Sequence, residues 1–218
     1  MFCAAIVSGC LATPSGVRKE SVDPAAKAGG TTAGLAMLAG QPDWLYPIAE
    51  CPVDAFPTTQ VRLAFPREAC ISNLLTCVQR CQEGEPSACY AAAQRTEDLK
   101  AEPEAAQALF LRACRLGIAS GCTNRAAGLV FQKLDRADVW SCANRTFKAM
   151  CDRADPWACT MWGSSLARGR GTRQDLDQAL RVLPKGCALG ETDEACIYAR
   201  RTIREIEALR GDSRGAKP

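Results

Sequence analysis

The chain has 218 residues, 14 of them cysteine and none histidine, with 27 Lys and Arg against 24 Asp and Glu. Without imidazole there is no histidine general base, no histidine zinc ligand and no Ser/His or Cys/His nucleophile pair, which removes the commonest hydrolytic machinery at neutral pH. A net charge of +3 with no basic run interleaved with aromatics argues against nucleic acid, and no apolar stretch reaches the 18 or more residues of a membrane-spanning helix. A hydrophobic fraction of 47% is enough for a buried core, and so many cysteines suit an oxidising compartment.

Residues 1–9 are a short, largely apolar run ending in Val7-Ser8-Gly9, just before Cys10. This resembles a bacterial lipobox, which implies signal cleavage, lipidation of Cys10 and membrane contact through that lipid anchor only. Residues 10–40 include "TPSGVRKESVDPAAKAGGTTAG", turn and small residues without apolar periodicity, and read as a flexible linker. Residues 41–66 combine several prolines with Trp44, Tyr46, Phe56 and Phe65, which suits an extended segment laid over the first part of a core.

From Arg67 the apolar spacing becomes helical. "ACISNLLTCVQRC", "AAQALFLRAC", "ANRTFKAMC" and "LDQALRVLPKGC" carry apolar or small residues at i, i+3 and i+4 and stop at a cysteine. A second set, "ACYAAAQRTEDL", "GCTNRAAGLVFQKL", "ACTMWGSSLARG" and "ACIYARRTIREIEALR", begins just beyond. First cysteines fall at Cys81, Cys114, Cys151 and Cys187, spaced 33, 37 and 36 residues; second cysteines fall at Cys89, Cys122, Cys159 and Cys196, spaced 33, 37 and 37. A fixed period of this length marks a helix-pair repeat.

Three residues after each first cysteine stands Gly84, Gly117, Ala154 or Gly190, where a left-handed residue would stop the first helix. Pro86 and Pro156 follow where a second helix would begin. The small residues Ala88, Gly121, Ala158 and Ala195 directly before each second cysteine permit close helix approach. Each cysteine pair therefore brackets a tight helix–turn–helix corner.

Cysteines flanking such a turn come within the ~4.4–6.8 Å Cα separation of a disulfide. A metal site would need ligands converging on one point, whereas these pairs are spread along the chain, and redox catalysis would call for a CxxC at a helix start, which is absent. Disulfide staples are the expected use, with no catalytic, cofactor or metal residue assigned. Cys51, Cys70, Cys77 and Cys142 are candidates for further bridges. If Cys70 and Cys77 lie on one continuous helix they stand about 10 Å apart along its axis and cannot bond, which points to Cys51 as partner for one of them. The other is left for Cys142 or free.

Residues 159–190, "CTMWGSSLARGRGTRQDLDQALRVLPKGCALG", contain Gly163, the pair Gly169 and Gly171, Asp175, Ala179 and the closing Cys187-Ala188-Leu189-Gly190. This unit closely resembles the Sel-one-like repeat, an α/α relative of the tetratricopeptide repeat, and the cysteines eight or nine apart resemble its secreted cysteine-rich bacterial branch. Earlier units lack the glycine pair, and Pro184 is expected to kink the last inter-repeat helix.

The resemblance spans residues 67–210. It implies an all-α fold, an α/α superhelical solenoid of about four helix pairs with one disulfide per corner, and a non-enzymatic scaffold that binds a protein or peptide on its concave face in the cell envelope, periplasmic, outer-membrane-anchored or secreted. Some cysteine-rich relatives are described as penicillin-binding proteins with slow β-lactam hydrolysis. Against that alternative, the chain holds no SxxK, SDN or KTG.

Trp140, Trp157 and Trp162 cluster near the third corner and are expected in the core. The basic stretch from Arg168 to Arg173 reads as a solvated loop. The final helix, with Ile197, Ile203, Ile206 and Leu209 toward one side, should cap the array, leaving residues 211–218 as a disordered tail.

Overall fold

The computed structural model describes residues 24–46, 51–64, 67–132 and 136–215, and among these it contains helices and no strand. The order is α1 (Pro24–Ala39), α2 (Pro52–Ala55), α3 (Arg67–Ser72), α4 (Leu74–Gln82), α5 (Pro86–Asp98), α6 (Pro103–Arg115), α7 (Ala119–Gln132), α8 (Ala137–Cys151), α9 (Pro156–Arg168), α10 (Leu176–Val182), a 3-10 turn (Leu183–Cys187) and α11 (Glu194–Gly215). The fold is all-α. From α4 to α10 each helix packs mainly on its neighbours in sequence, so the helices follow one another in antiparallel pairs.

The corners are built as the spacing requires. Gly84, Gly117, Ala154 and Gly190 have φ of 94°, 96°, 62° and 109°, and each amide donates back to the carbonyl of the cysteine three residues earlier. Pro86 and Pro156 open α5 and α9, where a missing N–H costs nothing. Disulfides join Cys81 to Cys89, Cys114 to Cys122, Cys151 to Cys159 and Cys187 to Cys196, with Cα atoms 4.2–4.6 Å apart. The small residue before the second cysteine is needed for this approach: a Cβ on Gly121 would fall 2.8 Å from Phe110 O.

The core follows the chain as a series of clusters. The largest joins Leu38 and Leu45 to Leu74, Val78, Leu109 and Phe110, followed by Phe147 with Val130 and then Leu183 with Leu166 and Ile206. Arg112 locks α6 to α4 by donating to the carbonyls of Cys81 and Gln82 at 3.0 and 3.1 Å. It also reaches Trp44 O and lies over the Trp44 ring. Trp140 and Trp162 pack against the later clusters but are only half-buried.

Several expectations need correction. Within the supposed linker 10–40, residues Pro24–Ala39 form α1, packed on α4. Its glycines make the fit: a Cβ on Gly30 would lie 2.5 Å from Asn73 Oδ1, and one on Gly34 2.8 Å from Leu74 Cγ. Segment 41–66 is not extended throughout, since it contains the short α2. Residues 57–64 are irregular and run across the corners, with Gln60 Nε2 donating to Arg153 O, Val61 N to Gly117 O and Ala64 N to Ser87 Oγ.

Cys70 and Cys77 bond to each other, with Cα atoms 5.6 Å apart, because they are not on one helix. Asn73 has φ −154° and ψ 93°, ends α3 and caps α4 by accepting from Thr76 N, so the chain folds back between the two cysteines. Cys51 pairs with Cys142, which fastens α2 to α8 beside the paired hydrogen bonds from Arg145 to Asp54.

Pro184 ends α10 rather than kinking it, because a residue without N–H cannot continue the bonding pattern, and the chain tightens into the 3-10 turn. Helix α11 continues through Gly215, so most of the supposed tail 211–218 is helical; no proline interrupts it there. On that helix Ile203 and Ile206 pack inward with Ala199, whereas Ile197 and Leu209 are exposed. The basic loop is tied back into the fold, with Arg168 paired to Glu205, Arg170 over Trp140 and Asn144 Nδ2 donating to Arg170 O.

Candidate binding groove

Alternate helices present one face each to a groove of about 980 Å³, at the upper end of the range for ligand sites. Helix α5 contributes Tyr90, Gln94 and Glu97, and α7 contributes Ser120, Asn124, Gly128 and Phe131; both sets recur at three to four residues, the spacing of one helix face. Pro156 and Trp157 come from the start of α9, Glu194 and Ala195 from the start of α11, and Gln107 from α6.

Its floor is a chain of polar contacts. Asn124 Nδ2 donates to Tyr90 Oη at 2.9 Å, and Gln94 Nε2 approaches the same oxygen at 3.5 Å. Ser120 Oγ donates to Asp155 Oδ2 at 2.5 Å, while Asp155 Oδ1 accepts from Ala158 N at 2.8 Å and so caps α9. Burial pushes the Asp155 carboxyl above its ordinary range, although Ser120, the backbone amides of Ala158 and Trp157, and Thr123 pull it back. Burial, helped by the Asp155 charge, pushes the Tyr90 phenol up to about 12. These groups also couple α5 to α7 and α7 to α9.

The rim combines apolar and acidic groups. Leu63, Phe131 and Leu189 line it and are each at least half exposed. Trp157 stands edge-on to Tyr198, ring centres 6.0 Å apart. Glu97, Asp98, Asp193 and Glu194 add carboxylates, and Lys100 is the only cation among the described lining residues. Burial and then the neighbouring Asp98 charge raise the Glu97 carboxyl.

None of the twelve bridged cysteines lines the groove; they hold the corners and α2 that position it. Cys10, the expected lipidation site, lies outside the described residues. The groove residues themselves were not anticipated from sequence, although Asp155 before Pro156 is a recognisable helix start and the Tyr90, Gln94, Glu97 stripe is polar on an otherwise alanine-rich helix.

Ser120 and Asp155 bring a hydroxyl and a buried carboxylate together, but both carboxylate oxygens already serve local contacts. Among the described residues no cluster of His, Cys, Asp or Glu is arranged to hold a metal ion, and no helix is long and apolar enough to cross a membrane. Six intramolecular disulfides among the described residues are consistent with an extracytoplasmic protein. No family model, curated protein or solved structure matches the chain.

Proposed function

We propose that the chain is a non-enzymatic scaffold of the Sel-one-like type that binds a peptide or protein segment in the bacterial cell envelope. On this proposal the helix pairs stack as a solenoid and the groove is its concave face. Cys10 carries a lipid anchor.

The observation that carries the proposal is the lining of the groove. Side-chain amides of Gln94 and Asn124 offer donors and acceptors to an extended backbone, and exposed Phe131, Leu189 and Leu63 offer apolar contact to alternate side chains. A groove held by disulfide-closed corners loses little entropy on binding, the advantage of a preorganised site.

The test is selection of random displayed peptides against the oxidised protein, followed by affinity measurement on Gln94→Arg and Asn124→Arg variants. Selected peptides should lose binding to both variants while the far-ultraviolet spectrum of the protein stays unchanged. Failure to select any peptide with that dependence overturns the scaffold. A second reading, slow hydrolysis of a β-lactam, is favoured only by the Ser120 to Asp155 hydrogen bond. Turnover of a chromogenic cephalosporin that disappears in Ser120→Ala would replace the scaffold with that reading.

A further inference from the structure

We infer that the groove's occupant is a basic segment, one that places Lys or Arg side chains against the Glu97 and Glu194 ends of the lining and an apolar residue between them. This rests on the scaffold function proposed above and adds the chemistry of its partner.

Charge complementarity supports it. The chain as a whole is positive, at +3, yet the described residues that line the groove include five carboxylates and one lysine. Several acidic side chains elsewhere on the surface are paired: Asp54 with Arg145, Glu191 with Arg200, Glu205 with Arg168 and Arg201, Asp177 with Arg210. Among the described residues neither Glu97 nor Glu194 has a cationic partner.

The groove lining is thus net negative on a chain that is net positive, while arginines neutralise several of the acids on the outer faces. Glu97 bears a penalty from burial and from Asp98 that an arriving cation would relieve. The exposed Phe131 and Leu189 supply the apolar contact that fixes register, a job that charge does poorly because rim charges act mainly on approach.

The experiment measures fluorescence anisotropy of three labelled octapeptide pools, with fixed aromatic and leucine positions and the remaining positions drawn from Lys and Arg, from Gln and Ser, or from Asp and Glu. The oxidised full chain and its Glu97→Gln, Glu194→Gln and double variants are the titrants. The basic pool should bind tightest and weaken when salt is raised from about 0.05 to 0.5 M, as screening requires. Each single variant should lose about two- to fivefold and the double variant about tenfold for the basic pool alone, the scale of exposed ion pairs.

If the neutral or acidic pool binds as well as the basic one, with loss on Asn124→Arg but none on the glutamate variants, the basic-partner inference is overturned while the scaffold stands. If no pool binds, both fall. Glu97, though partly desolvated by its groove neighbours, remains solvent-accessible like Glu194, so their amides leave the fold intact, and thermal unfolding of the variants verifies this.

Discussion

Ala154 occupies a position where its three counterparts are glycine, and its φ of 62° lies in the left-handed region. Holding an L-residue there costs roughly 1–2 kcal/mol, whereas glycine adopts it freely but loses about 0.5–1 kcal/mol more chain entropy on folding. Ala154→Gly should therefore stabilise by about 0.5–1 kcal/mol, a rise of about 1–4 °C in Tm for a chain of this length. Two companion variants calibrate the reasoning. Around Gly84 a Cβ would meet nothing within 4 Å, so Gly84→Ala isolates the backbone penalty and should lose what Ala154→Gly gains. At Gly117 a Cβ would sit 2.8 Å from Thr59 O and 3.1 Å from Val61 Cγ2, so Gly117→Ala adds overpacking of roughly 1–3 kcal/mol. Reversible urea unfolding of the oxidised proteins, followed by circular dichroism, should rank them Ala154→Gly, wild type, Gly84→Ala, Gly117→Ala. Equal midpoints for wild type and Ala154→Gly, or equal losses at Gly84 and Gly117, would refute the account.

Replacing both Cys151 and Cys159 by serine removes a staple of sequence separation 8 and should cost about 2.5 kcal/mol in the chain-entropy model, against about 4 to 5 kcal/mol for the Cys51 and Cys142 pair, separated by 91. Urea midpoints check the order of the two losses. For Asp155, burial places its folded pKa above the unfolded value, so the fold binds its proton more tightly. The resulting stability is fully present below the ordinary carboxylate value of 3.8 and is lost as pH rises through the raised folded value. Asp155→Asn keeps the cap acceptor and removes the titration. The difference in unfolding free energy between wild type and Asp155→Asn should therefore fall with rising pH over that window, and a pH-independent difference would contradict the assignment.

The corners were legible because each uses three local signals at once: a cysteine, a left-handed residue three positions on, and a proline or small residue opening the next helix. Helix α1 was hidden because Gly30 and Gly34 look like linker residues, and only the proximity of Asn73 and Leu74 reveals them as packing surfaces. The Cys70–Cys77 bridge was missed for a related reason. Asn73 sits in a helical apolar pattern, and its role as a cap depends on one hydrogen bond to Thr76 N. The groove was harder still. Its acids come from the end of α5, the α8–α9 corner, and the start of α11 with the residue before it, so no window of sequence contains them together.

The pattern of bridges has a consequence for how the molecule is made. Five of the six join cysteines that are consecutive along the described chain, but Cys51 must pass over six others to reach Cys142. An oxidase that linked thiols strictly in order of emergence would join Cys51 to Cys70, then Cys77 to Cys81 and Cys89 to Cys114, putting every bridge up to Cys142 one partner out of register. Correct maturation therefore depends on Cys51 waiting as a thiol, or on an isomerase that returns it to one, until α8 has arrived.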